Sequence, residues 1–170
     1  MKRFFQAGAL ALVAVTASAC GFTPLYATLG VTPGLASIQT IAPDGRAGFL
    51  LREQLDDAFV YRGVTPPAYR LTLAVDEKRY ARGVRIDNIA NRYELRMTVK
   101  WRLGDAKTGA EIRKGQAETA VTYDSADQPY AAIAAQNDGQ ERAATEVARK
   151  IQLDLAAWMA AKAKGPADAP

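Results

Sequence analysis

Two stretches of the chain alternate apolar and polar residues with a period of two. In the first, Tyr69, Leu71, Leu73 and Val75 alternate with Arg70, Thr72, Ala74 and Asp76. The second is stricter, with Tyr93, Leu95, Met97, Val99, Trp101 and Leu103 on one side and Arg92, Glu94, Arg96, Thr98, Lys100 and Arg102 on the other. Such alternation is that of antiparallel strands with one face on a core and one in water. Gly104–Gly109 reads as a hairpin turn, followed by a strand from about Ala110 to Asp124 with Ala117, Thr119, Val121 and Tyr123 inward. Leu35 to Ala42 is consistent with an earlier strand. Pro43-Asp44-Gly45 breaks it, with Asp44 as the expected N-cap. Leu51, Leu55, Ala58 and Phe59 then recur at helical spacing, which predicts a helix from about Arg46 to Tyr61, stopped by Gly63. A long alanine-rich segment begins at Pro129, with Ile133, Ala144, Val147, Ile151, Leu155 and Trp158 as its apolar stripe. Asn137-Asp138-Gly139 leaves open whether residues 129–162 form one helix or two.

These elements predict an α+β fold of order βαβββα. It is a two-layer sandwich, with a four-stranded mixed or antiparallel sheet and two helices on one face. Because the strands are polar on one side, helices cover only one face of the sheet.

The first 19 residues follow another logic. Lys2 and Arg3 precede an apolar run from Phe4 to Val15, which small residues follow up to Ala19. That is the make-up of a signal peptide; the run falls short of the ~20 residues of a membrane span. Cys20, the only cysteine, stands at the expected cleavage point. Ala17-Ser18-Ala19-Cys20 resembles the lipobox of bacterial lipoproteins, departing from it in having Ala17 where Leu is usual. The resemblance implies a lipidated Cys20 and, with Gly21 rather than Asp following, delivery to the outer membrane. The expected organisation is a signal peptide (1–19), a lipidated N-terminus and tether (20–34), an α/β domain (35–162) and a disordered tail (163–170).

Composition narrows the function. The chain has no histidine, and Cys20 has no partner for an internal disulfide. Metal sets, Ser-His-Asp triads and Cys-His dyads are therefore not expected. No phosphate-cradling glycine loop is present, so we expect no cofactor, no metal and no catalysis. The adjacent carboxylates Asp56-Asp57 and Asp76-Glu77 point in different directions on a helix or strand. Losing Lys2 and Arg3 from 22 basic residues against 18 acidic ones leaves a mature net charge of +2. The charge is polarised: Lys78, Arg79, Arg82, Arg85, Arg92, Arg96, Lys100 and Arg102 fall in one stretch opposed only by Asp87 and Glu94. An exported chain seldom meets nucleic acid, and the stretch carries no binding motif for it.

The opening CGFTPLY (Cys20–Tyr26), the βαβββα order, the Arg-rich second and third strands and the stretch TYDSADQPYAAIAAQNDGQERAATEVARKI (Thr122–Ile151) together resemble the LptE family. The resemblance covers most of the mature chain and carries pattern and order rather than catalytic residues. It implies a non-enzymatic lipoprotein, anchored to the inner leaflet of the outer membrane and facing the periplasm. Such a protein plugs and assists the LptD β-barrel in placing lipopolysaccharide, contacting lipopolysaccharide through basic residues. Lys78, Arg79, Arg82, Arg85 and Arg92 are the candidates, since guanidinium groups bind phosphate bidentately. A solvated hairpin charged against edge-to-edge pairing is the other reading of these residues. The competing function is a barrel-independent lipid or lipoprotein carrier of LolB-like kind, which requires an apolar cavity for acyl chains. The N-terminal peptide isolated from membranes is expected to carry acyl groups on Cys20. Cys20→Ser is expected to release the protein from the membrane; an unmodified thiol by mass spectrometry contradicts this.

Overall fold

The computed structural model describes residues 30–63, 66–84, 90–125 and 127–164. In chain order the elements are α1 (Val31–Leu35), β1 (Ile38–Ile41), α2 (Arg46–Phe59), β2 (Tyr69–Val84), β3 (Ala90–Asp105), β4 (Glu111–Asp124) and α3 (Pro129–Lys164). The strands form one sheet in the order β1-β2-β3-β4. β1 runs parallel to β2, with α2 as the crossover, and the other pairs are antiparallel, so the sheet is mixed. The α+β architecture expected from the alternation is present.

Burial follows the alternation. Leu71, Leu95, Met97, Val99 and Leu103 are fully buried, and α2 and α3 answer them with Leu51, Leu55, Val147, Ile151 and Leu155. Two glycines set how closely the layers approach. The Trp101 indole lies over Gly115, its neighbour in register on β4, where a side chain would collide with the ring. A Cβ at Gly139 would stand 2.9 Å from Tyr123 Cδ1. Gly139 is therefore where α3 comes down on β4, and α3 passes Asn137-Asp138-Gly139 as one unbroken helix of 36 residues.

Several local expectations are corrected. Val31 and Leu35 are core residues of α1, so the folded domain reaches back into the segment expected to be tether. Pro33 lies in the first turn of α1, where a missing N–H costs no helical bond. The first strand is correspondingly only Ile38–Ile41. Asp44 does not cap α2; Gly45 holds that position at φ 105° with no side-chain bond. The helix ends at Phe59 rather than Tyr61. Val60 takes the left-handed conformation at φ 57°, and its N–H and that of Tyr61 close onto the Asp57 and Asp56 carbonyls. Ile133 is 58% exposed, because the first turns of α3 run past Leu95 and Tyr123, the last buried strand residues at that end. At its other end α3 continues to Lys164, two residues beyond the expected tail boundary.

The free edge of β4 is occupied by side chains from α3. Lys150 Nζ donates to the Glu118 carbonyl at 2.7 Å, Arg142 Nη2 to that of Thr122 at 3.4 Å, and Arg113 pairs with Asp154 at 2.7 Å. Charged groups at a sheet edge oppose pairing with other chains. At the hairpin between β3 and β4, Asp105 accepts from the Lys107 and Thr108 N–H groups at 2.9 and 2.8 Å, which holds its carboxyl below the ordinary range.

Gly115→Ala is expected to lower stability by about 1–2 kcal/mol, the cost of overpacking the Trp101 contact set against the gain from removing a strand glycine. Urea unfolding checks this; a stabilised variant contradicts the packing described.

Candidate functional site

The face of the sheet opposite α2 and α3 holds the even-numbered residues of β2 and β4 and those paired with them on β3. Register sets its rows. Thr72, Arg102 and Lys114 lie side by side, then Ala74, Lys100 and Gln116, Asp76, Thr98 and Glu118, and Lys78, Arg96 and Ala120. Ala74 leaves a low point at the centre of this face. Two adjoining open depressions, ≈590 and ≈620 Å³, share Ala74, Lys100 and Gln116 in their linings. Lys100 has no acidic partner among the described residues, whereas most of its basic neighbours are paired.

Toward the β2–β3 tip the face becomes an interlocked cluster around Tyr80. Glu94, opposite Tyr80 in register, receives Arg82 Nε at 2.9 Å and Arg96 Nη2 at 3.1 Å. Both guanidinium groups lie over the Tyr80 ring, 5.6 and 5.7 Å from its centre. Arg82 is the extra residue of a bulge, between the pairs Ala81↔Tyr93 and Gly83↔Arg92. The Arg82 hydrogen bond first, then the charges of Arg82 and Arg96, hold the Glu94 carboxyl below its usual range. Lys78 pairs with Asp76 at 3.1 Å and Arg92 with Asp124 at 2.8 Å.

The predicted contact residues divide between the two faces. Lys78, Arg82 and Arg92 belong to the uncovered face. Arg79 lies on the helix side: its Nη1 donates to Gln136 Oε1 of α3 at 2.8 Å, and its guanidinium stands 4.8 Å over the Tyr93 ring. Arg85 and Cys20 lie outside the described residues. Neither carboxylate pair converges. Asp76 faces the open side while Glu77 accepts from Gln140 of α3 at 2.8 Å, and Asp57 is exposed where Asp56 is half-buried beside Thr40. Sequence patterning does not single out Tyr80 or the β4 contribution of Lys114 and Gln116. Tyr80 carries a signal all the same, being a large aromatic at an even position of β2, on the side otherwise polar.

The family model LptE, lipopolysaccharide-assembly, matches residues 35–155. A crystal structure of a candidate lipoprotein of Caulobacter crescentus CB15 is similar at 68% identity and a TM-score of 0.70, over 78% of this chain and 97% of that one. A minor lipoprotein of Acinetobacter baumannii is 17% identical with a TM-score of 0.53, over 71% of this chain and 88% of that one. Lipoprotein B of Nitrosomonas europaea is 17% identical with a TM-score of 0.52, over 76% and 87%. The last two show a shared fold. No curated protein matches the chain.

Burial raises the Asp56 carboxyl above its usual 3.8, while the nearby Arg52 charge opposes the shift. The folded state thus keeps this proton to higher pH than the unfolded state does. Stability from this group falls as pH rises through the window above 3.8, and the loss persists at neutral pH. Asp56→Asn is expected to stabilise the protein at pH 7, with the gain shrinking toward pH 3. Thermal unfolding at the two pH values checks this; an equal effect at both contradicts it.

Proposed function

The chain belongs to the LptE lipopolysaccharide-assembly family, and on that footing we propose that it is an outer-membrane lipoprotein serving as plug and assembly partner of an LptD-like β-barrel. In this reading residues 1–19 are removed, Cys20 carries the lipid, and the domain faces the periplasm. Lipopolysaccharide is contacted directly, through the uncovered face of the sheet.

The observation that carries the reading is the gathering of Lys78, Arg82, Arg92, Arg96 and Lys100 on the face that none of the described helices covers. Phosphates on lipid A and core sugars are suited to bidentate guanidinium donors. Glu94 occupies the donors of Arg82 and Arg96 with a carboxylate of the same charge sign as phosphate. An incoming phosphate then exchanges one anion for another at Arg82 and Arg96, beside Lys100, which needs no such exchange. The charges on the far side of the sheet have a different part: Arg79 braces α3. We therefore assign contact to Lys78, Arg82, Arg92 and Arg96, keep Arg85 as the candidate its sequence makes it, and give a lesser part to Arg79.

The carrier alternative finds less support. The space between the sheet and its helices is filled by side chains such as Leu71, Met97, Leu103 and Ile151, all fully buried. An acyl-chain cavity there would require the core to open.

Replacing Arg82 and Arg96 together by Glu is expected to weaken lipopolysaccharide binding at least about tenfold, since each charge-assisted bond contributes ~1.5–3 kcal/mol. Arg79→Gln is expected to leave binding nearly unchanged. Titration with purified lipopolysaccharide checks both. Undiminished binding by the double variant rules out the uncovered face as the contact surface.

A further inference from the structure

At the end of the domain where the described chain begins stands a cluster that the sheet face does not use. Tyr69, the first residue of β2, and Trp158, near the end of α3, meet edge to face with centroids 6.0 Å apart at 81°. Lys162, one turn after Trp158, places its Nζ 5.6 Å from the centre of the Tyr69 ring and 5.3 Å from that of Trp158. The same Nζ donates to the Tyr69 hydroxyl at 3.1 Å. With Gly30, Gly34 and Met159 these residues line an open groove of ≈300 Å³. Both rings are half-buried and Lys162 is exposed.

Packing against the core explains the buried part of the two rings. It does not explain an exposed lysine laid across their open faces. Tryptophan and tyrosine concentrate where a bilayer meets water, because each ring pairs an apolar body with a polar tip. Lysine suits the same layer, with its stem along apolar surface and its ammonium among headgroups, where anionic lipids attract it.

Position points the same way. Gly30 forms part of the groove, and it follows Cys20 by ten residues. Ten residues span at most about 36 Å. A 16-residue strand such as β2 is roughly 53 Å long, more than the tether reaches. If Cys20 holds the lipid, this end of the domain, and not the β2–β3 tip, is the end the membrane meets.

We propose that the Tyr69–Trp158–Lys162 cluster is a bilayer-facing surface that seats in the interfacial layer of an anionic membrane and orients the domain on its tether. The inference rests on the lipid-anchor reading above, and a test that imposes the anchor chemically separates the two. The thiol of Cys20, the only cysteine, is coupled in the chain from Cys20 onward to maleimide phosphatidylethanolamine. The vesicles are of phosphatidylethanolamine and phosphatidylglycerol, with ordinary or brominated acyl chains. Trp158 is one of two tryptophans, and the other, Trp101, is buried in the core.

The expected result is lower emission in brominated vesicles. That difference disappears in Trp158→Phe and shrinks in Lys162→Glu, whose seated-to-free ratio falls by at least about fivefold with the lost charge. Equal emission in the two kinds of vesicle overturns the proposal. A groove covered by residues 20–29 or by a second copy of the chain gives that equal emission, and so overturns it too. Whether the cell acylates Cys20 is decided separately by the mass of the N-terminal peptide, so neither failure can pass for the other.

Discussion

The structure depends on burying one apolar face of a long three-stranded meander while leaving the other face wet. β3 sits at its centre and carries the largest share, with Leu95, Met97, Val99, Trp101 and Leu103 all buried on one side. Covering that stripe requires α3 to lie close along much of the sheet, and close approach requires space. Gly115 gives it beneath the Trp101 ring and Gly139 gives it above Tyr123. The second glycine is costly to a helix interior, so its place at the closest contact shows packing overriding propensity.

Commitment of one face to the core leaves the other to charge. Its cations are mostly paired, Arg82 and Arg96 through a shared Glu94, Arg92 through Asp124 and Lys78 through Asp76. Exposed pairs of this kind add little to stability. Their effect is on the surface itself, which holds the Arg82 and Arg96 guanidinium groups over the Tyr80 ring. The sheet edges follow the same economy. Lys150 and Arg142, on the outward side of α3, satisfy carbonyls of β4 that would otherwise face another chain. One helix thus covers the core and guards the edge.

Much of this is legible in the sequence, because period-two alternation over a dozen residues specifies a strand with one buried and one wet face. β2, β3 and β4, the helix after Arg46 and the one-sided cover all follow from such periodicity. What escapes depends on partners distant in the chain. The helical turn Val31–Leu35 is short and contains both Gly34 and Pro33, so propensity reads it as loop, and only its burial against α3 holds it helical. Asn137-Asp138-Gly139 resembles a break because glycine is a poor helix former, while its reason for being there is Tyr123 on another element. Arg79 and Arg82 group together by charge, yet residue parity and the bulge at Arg82 send them to opposite faces. Tyr80 is visible as an aromatic out of phase with its strand, but its meaning needs Arg96 of β3 to be placed across from it. Charge density alone does not distinguish a ligand face from a solvated one; register does more, by separating the cation that braces α3 from those that face outward.

We propose that this member of the lipopolysaccharide-assembly family acts together with an outer-membrane β-barrel. The most direct measurement is purification of the mature protein from membranes in mild detergent, with mass spectrometry of everything that accompanies it. A large outer-membrane β-barrel is expected in near-equal amount, together with lipopolysaccharide. Recovery without any barrel, and with acyl lipid held by the protein alone, would rule out the partnership.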